Sequence, residues 1–159
     1  MNKMEMFQEM AKRIAEDESL AISEWEGNFQ FEQGIPVSSS LENVNEIKIP
    51  GSPELPEGQM TAIEMLVTSM ARCYSTTLHK NAYEKGISLD KVAIHLNCKF
   101  DQRPFLGMNE GDPGVIEPKM QLTIESRAER QELEALSLQT LKQSPVLQSL
   151  ATEIDFTLT

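Results

Sequence analysis

Hydrophobic positions along this chain follow two rhythms, one of three and four residues and one of two, and their alternation outlines the elements. Phe7, Met10, Ala11 and Ile14 recur at helical spacing, with Glu9, Lys12 and Arg13 elsewhere around the wheel, which predicts an amphipathic helix over Lys3–Asp17. Two strands are expected next, Leu20–Trp25 and Asn28–Glu32, with Glu26-Gly27 as the turn between them. Gly34, Pro36 and the run Ser38-Ser39-Ser40 then interrupt the pattern. A partial alternation predicts a third strand, Val44–Ile49. The segment Pro50–Gly58, with three prolines, reads as a loop. It leads into a long helix from about Gln59 to Lys85, ended by Gly86 as a left-handed cap. Ile63, Leu66, Val67, Met70, Cys73, Tyr74, Thr77 and Leu78 share one face of that helix.

The clearest alternation is Lys91–Asp101. Val92, Ile94, Leu96, Cys98 and Phe100 point to one side; Lys91, Ala93, His95, Asn97 and Lys99 point to the other. Gln102–Pro118 holds three prolines and three glycines and reads as a long loop or hairpin extension. A strand over Met120–Ser126, a helix over Ala128–Lys142, the break Ser144-Pro145 and a last strand over Glu153–Leu158 complete the chain. Strands interrupted by two substantial helices predict an α+β fold. The expected organisation is an N-terminal amphipathic helix, residues 1–19, followed by one domain over residues 20–159.

Composition narrows the function. The 159 residues suit a single domain, and with aromatics at only 6% the core must be built from aliphatic side chains and methionine. Net charge is −11, from 25 acidic and 14 basic side chains, and no basic cluster interleaved with aromatics offsets it. Nucleic-acid affinity comes from neutralising phosphates with Lys and Arg, so nucleic acid and anionic membrane are poor partners for this surface. The N-terminus lacks the apolar core and cleavage site of a secretory signal, and no apolar run approaches the roughly 20 residues needed to span a bilayer. A cytoplasmic protein with reduced thiols is expected from only two cysteines.

Most candidate chemistry is weak. His95 and Cys98 lie three apart on a strand, hence on opposite faces, and His79 lies about 240° around the helix from Cys73, so no metal site is expected. There is no Gly-x-Ser-x-Gly elbow for a nucleophilic serine and no glycine loop to cradle a phosphate, so no cofactor is expected. Cys98, at an inward strand position, behaves as a small hydrophobe. Cys73, on the apolar stripe of the long helix, is either inert packing or a redox centre held away from bulk water.

The words around Cys73 bear on that choice. Glu64-Met-Leu-Val-Thr-Ser-Met-Ala-Arg-Cys73-Tyr-Ser-Thr-Thr-Leu resembles the helix of the OsmC/Ohr family, the osmotically inducible and organic-hydroperoxide-resistance proteins, in which an acidic residue opens the helix and a cysteine follows. Tyr83 through Leu96 is similar to that family's helix end, glycine turn and following strand, and the C-terminal order of strand, helix, Gln143-Ser144-Pro145 and final strand is similar too. The resemblance implies an OsmC-like α+β fold, with antiparallel sheets wrapped around a long central helix in an intertwined homodimer. It implies thiol-dependent reduction of organic hydroperoxides or peroxide in a stress response, with Cys73 and Glu64 as catalytic residues. The Cys73 thiolate would become a sulfenic acid, and a second thiol would then close a disulfide for an external reductant to open.

Two departures bear on that cycle. Where the family has a Cys-Pro pair, this chain has Ser144-Pro145, and a hydroxyl forms no disulfide. Either Cys98 substitutes, or an external thiol resolves Cys73, or there is no peroxidase cycle. The family's arginine from the N-terminal strands is also missing, since no arginine lies between Glu18 and Pro50; Arg103 is one replacement, and Arg72 points about 100° away from Cys73. The alternative is an OsmC-fold protein without peroxidase activity that binds a small apolar ligand at its dimer interface.

Overall fold

The glycine expected to turn the chain at position 27 lies instead in the middle of a strand. The computed structural model describes residues 1–159, and β1 runs without a break from Ile22 to Glu32. Gly27 pairs with Leu41 on one side and Leu96 on the other. A Cβ at this position would stand 2.6 Å from the Phe29 ring, so glycine is required here by a close approach rather than by a turn. The turn comes at Gln33-Gly34, whose φ angles of 50° and 82° are both positive. Two residues with positive φ make a type I′ hairpin, the turn whose twist matches paired strands.

That hairpin leads into β2, Ile35–Asn43, which contains the serine run expected to be a break. No residue of β2 is buried, so no alternation marks it in the sequence. The expected strand at Val44–Ile49 is instead irregular chain tied down by side chains. The Asn45 side-chain oxygen accepts from Glu24 N at 2.7 Å, and its amide donates to the carbonyl of Ile22. The backbone is held like a further strand position, but by a side chain.

The long helix α2 spans Ala62–Glu84. It begins at a capping box: Glu64 N donates to Thr61 Oγ1 at 3.2 Å, and Thr61 N donates to Glu64 Oε2 at 2.6 Å. It ends as expected at Gly86, where Ile87 N donates to Ala82 O and Gly86 N donates to Tyr83 O, a Schellman motif. β3 follows over Lys91–Asp101, as the alternation predicts. The loop expected after it contains the short helix α3, Gln102–Phe105, and the first four residues of β4, Val115–Glu125. Pro118 hides this strand, because it sits at a register shift opposite Asn97–Lys99, where a missing N–H costs no ladder bond. α4 (Arg130–Gln143), α5 (Pro145–Gln148) and β5 (Asp155–Leu158) close the fold.

The strands form one sheet in the order β2-β1-β3-β4-β5. All neighbours are antiparallel except β5, which reaches β4 through the α4–α5 crossover and lies parallel to it. The architecture is mixed α+β. α2 lies against the inner sheet face, burying Val67, Met70, Ala71, Tyr74 and Leu78 against Phe29, Phe31, Ile94, Leu96, Met120 and Leu122. α4 and α5 pack along α2 and add Leu133, Leu136 and Leu147.

The N-terminal helix α1, Lys3–Glu16, docks on the same chain. Ile14 is buried, the Phe7 and Phe105 rings meet edge to face at 5.2 Å, and Arg13 Nη1 donates to Lys48 O at 3.0 Å. Burying one side chain such as Ile14 contributes about 1.5–3 kcal/mol. α1 thus clasps the irregular chain that leads from β2 toward α2.

Candidate functional site

Cys73 lies at the middle of α2, on the border of its buried face. Tyr74, one residue on, is fully buried, whereas Cys73 is half-buried. Helix geometry explains the difference, since adjacent residues diverge by about 100°. Its neighbours one turn away on the same flank are Ser69 and Thr77, also half-buried, with their hydroxyls turned to the helix backbone: Ser69 Oγ donates to Leu66 O at 2.7 Å and Thr77 Oγ1 donates to Cys73 O at 2.9 Å. Small residues that satisfy themselves on their own helix leave the thiol flanked by low, uncharged relief.

Cys98 is the opposite case. It has no exposed surface, and burial pushes its thiol up to about 12. Ionising it would place a charge among apolar side chains with no partner. Both cysteines are free thiols. They are alike in the sequence pattern, as apolar-face positions, and unlike in the structure.

Ser144 is fully buried where α4 passes into α5, and its hydroxyl donates to Thr140 O at 2.8 Å. Arg103 is engaged by Asp101 in a two-pronged ion pair, with Nε and Nη2 within 3.0 and 2.8 Å of its carboxylate oxygens. The guanidinium beside it holds the Asp101 carboxyl below the usual carboxylate range. Arg103 therefore stands as the partner of Asp101 at the start of α3. Arg72 is exposed.

Glu64 serves the first turn of α2, through the capping box with Thr61. Nine residues separate it from Cys73, which is roughly 13 Å along the helix axis and half a turn around it. Within one chain the two do not meet. The role of Glu64 as cap was legible in Thr61-x-x-Glu64, an S/T-x-x-E pattern before an apolar run.

Three further polar groups join the helices around the site. Tyr74 OH donates to Ser137 O at 3.0 Å, and burial raises the phenol above its ordinary value, so it remains a neutral donor. Asn81 Nδ2 donates to Thr140 Oγ1 at 3.2 Å and Gln143 Oε1 at 2.9 Å. These bonds link α2 to α4 and fix the rotation of the helix that carries Cys73. His79 bonds Ser75 O through Nδ1 at 2.7 Å, on the other flank of α2 from Cys73, under the Gly34 turn. No group of three or more His, Cys, Asp and Glu side chains is placed to hold a metal ion. No helix is long and apolar enough to cross a membrane.

Comparison with known proteins bears on this arrangement. The family profile described as OsmC-like protein matches residues 55–159, the stretch that contains α2, β3, β4, α4 and β5. A search of curated proteins finds no match. Among solved structures, an OsmC like protein from Mycoplasma pneumoniae is similar with a TM-score of 0.55 and 20% identity, over 66% of this chain and 77% of that one. An osmc-like hydroperoxide resistance protein from jannaschia sp. ccs1 is similar with a TM-score of 0.58 and 9% identity, over 83% of this chain and 88% of that one. At these identities the likeness is one of fold.

Proposed function

Because the chain belongs to the OsmC-like protein family, we propose that it is a thiol-dependent peroxidase that reduces organic hydroperoxides or peroxide through Cys73. The observation that carries this reading is the contrast between the two thiols: Cys73 is half-buried on a flank of α2, and Cys98 is sealed in the core with its proton held to about 12. The Cys73 thiolate attacks the outer peroxide oxygen, the O–O bond breaks, and the alkoxide leaves to take up a proton as alcohol. Cys73 is then a sulfenic acid, oxidised by two electrons.

Resolution comes from outside the chain. Ser144 offers only a hydroxyl, and Cys98 is unavailable as a thiolate at ordinary pH. An external thiol condenses with the sulfenic acid, releasing water and leaving a mixed disulfide. A second equivalent of that thiol attacks the mixed disulfide, freeing Cys73 and carrying off the oxidised pair.

The working unit in this reading is a cytoplasmic homodimer. Ile35 and Val37 of β2 are exposed, and the Leu66–Ser69–Cys73–Thr77 flank of α2 is only half covered. A second protomer covers these surfaces and is the one route by which a Glu64 carboxylate reaches the surroundings of a Cys73 thiol. Peroxide treatment should convert Cys73 stoichiometrically to a dimedone-trapped sulfenic acid, and Cys73→Ser should lose all turnover with an external dithiol. Hydroperoxide consumption no faster than by the free dithiol would rule the activity out.

A second reading has its own support. Arg72 is exposed, Arg103 is committed to Asp101, and the resolving position is Ser144. In that case the fold binds a small apolar ligand at the dimer interface without turnover. A slowly alkylating Cys73, together with an apolar molecule that co-purifies and raises Tm, would decide for this reading.

A further inference from the structure

The outer face of the sheet carries a pattern that peroxide chemistry does not use. Strand register aligns Ser40, Asn28, His95, Gln121 and Thr157 in one row across all five strands. The next row, one pleat along, is Ser38, Gln30, Ala93, Thr123 and Thr159. None of these positions carries a carboxylate, a lysine or an arginine, in a chain where 25% of residues are charged. The rows beyond return to charge at once: Glu42, Glu26, Lys119 and Asp155 lie on one side, and Glu32, Lys91 and Glu125 on the other. A solvated sheet face with no other task has no reason to exclude charge from two adjacent rows and admit it on both flanks.

The band has shape and fixed side chains. Ala93, the smallest side chain in it, leaves a depression of about 220 Å³ rimmed by Asn28, Gln30, His95, Gln121 and Thr123. His95 Nδ1 and Asn28 Oδ1 lie 2.9 Å apart, a hydrogen bond that ties the two side chains across β1 and β3. The Thr123 and Thr159 hydroxyls bond one another at 2.6 Å. Neighbouring strands lie about 4.8 Å apart, so five strands set hydrogen-bonding groups at that repeat over roughly 19 Å.

We propose that this band is a second binding surface, separate from Cys73, for a neutral polyhydroxylated chain such as an oligosaccharide. An ion meets no opposite charge there. An apolar ligand would bury amides and hydroxyls without partners. A linear neutral ligand with hydroxyls at a short, regular repeat satisfies donors and acceptors strand by strand, and a ring or hydroxymethyl group enters the depression over Ala93.

Amide ¹⁵N–¹H spectra of the full chain, titrated with maltotetraose and in parallel with cellotetraose, test this. The expected result is saturable shifts at residues 28–30, 93–95 and 121–123 with at least one of the two, at a Kd on the order of 1 mM. Ala93→Lys, which fills the depression and brings a charge, should weaken binding at least ~10-fold, while a well-dispersed spectrum shows that the variant folds. Gln121→Ala supplies a milder check, with a smaller loss. Absence of saturable shifts with both sugars, shifts centred on α2, or equal binding by the Ala93→Lys variant would each overturn the proposal.

Discussion

Alkali should remove stability from this fold in a way that one buried thiol accounts for. Burial raises Cys98 from an ordinary 9.0 to about 12. In the unfolded chain the thiol ionises near 9, whereas the native chain keeps its proton until about 12. Between these values the unfolded state binds fewer protons, so unfolding free energy falls by about 1.4 kcal/mol per pH unit. The contribution is fully present below pH 9 and is lost as pH rises through the window. At about pH 11, two units into it, the loss is about 2–3 kcal/mol. Cys98→Ala abolishes this titration and leaves a small cavity that costs about 1 kcal/mol. The variant should therefore be less stable than the natural chain at about pH 8 and more stable at about pH 11. The phenol of Tyr74, also raised by burial, titrates in both proteins and cancels in the difference. Urea unfolding at a series of pH values, followed by the single tryptophan, measures the crossing. Parallel curves for the two proteins would refute it and would mean that Cys98 ionises within the fold. A resolving role for Cys98 would then return, because a native thiolate at that position could attack a Cys73 sulfenic acid.

Other expectations follow from single contacts. Gly27→Ala puts a methyl 2.6 Å from the Phe29 ring and should cost about 1–3 kcal/mol in urea unfolding, whereas a value near zero would mean that β1 is free to shift. Thr61→Ala breaks the cap of α2 and should lose about 1 kcal/mol with peroxide turnover unchanged. Glu64→Gln keeps the cap geometry and should instead slow turnover; equal turnover would leave Glu64 a cap alone. Tyr74→Phe removes the hydroxyl that donates to Ser137 O and should cost about 1 kcal/mol, read from the same unfolding curves.

How far the sequence foretold the molecule depends on whether one face of each element is buried. β3 was legible residue by residue because the inner row Val92, Ile94, Leu96, Cys98 and Phe100 is buried and the outer row is not. α2 was legible from its stripe and from Gly86. β2 was not, because a strand without a single buried residue leaves little alternation, and its serines look like any loop. Gly27 and Pro118 misled for a related reason: each is a common turn residue used here for a local need, close approach in one case and a register shift in the other. The candidate site divides in the same manner. Cys73 could be found by its place on α2 and by the motif around it. The difference between it and Cys98 could not, because periodicity assigns both to an apolar face and says nothing of what seals that face. Cys98 is covered by the strand and helix partners of one chain, whereas the flank holding Cys73 is left partly open by that same packing. A thiol at the edge of a core can be reached by a peroxide and still be covered by another protomer. One at its centre can do neither, and that asymmetry, rather than the presence of two cysteines, is what makes a one-thiol cycle the reading to test.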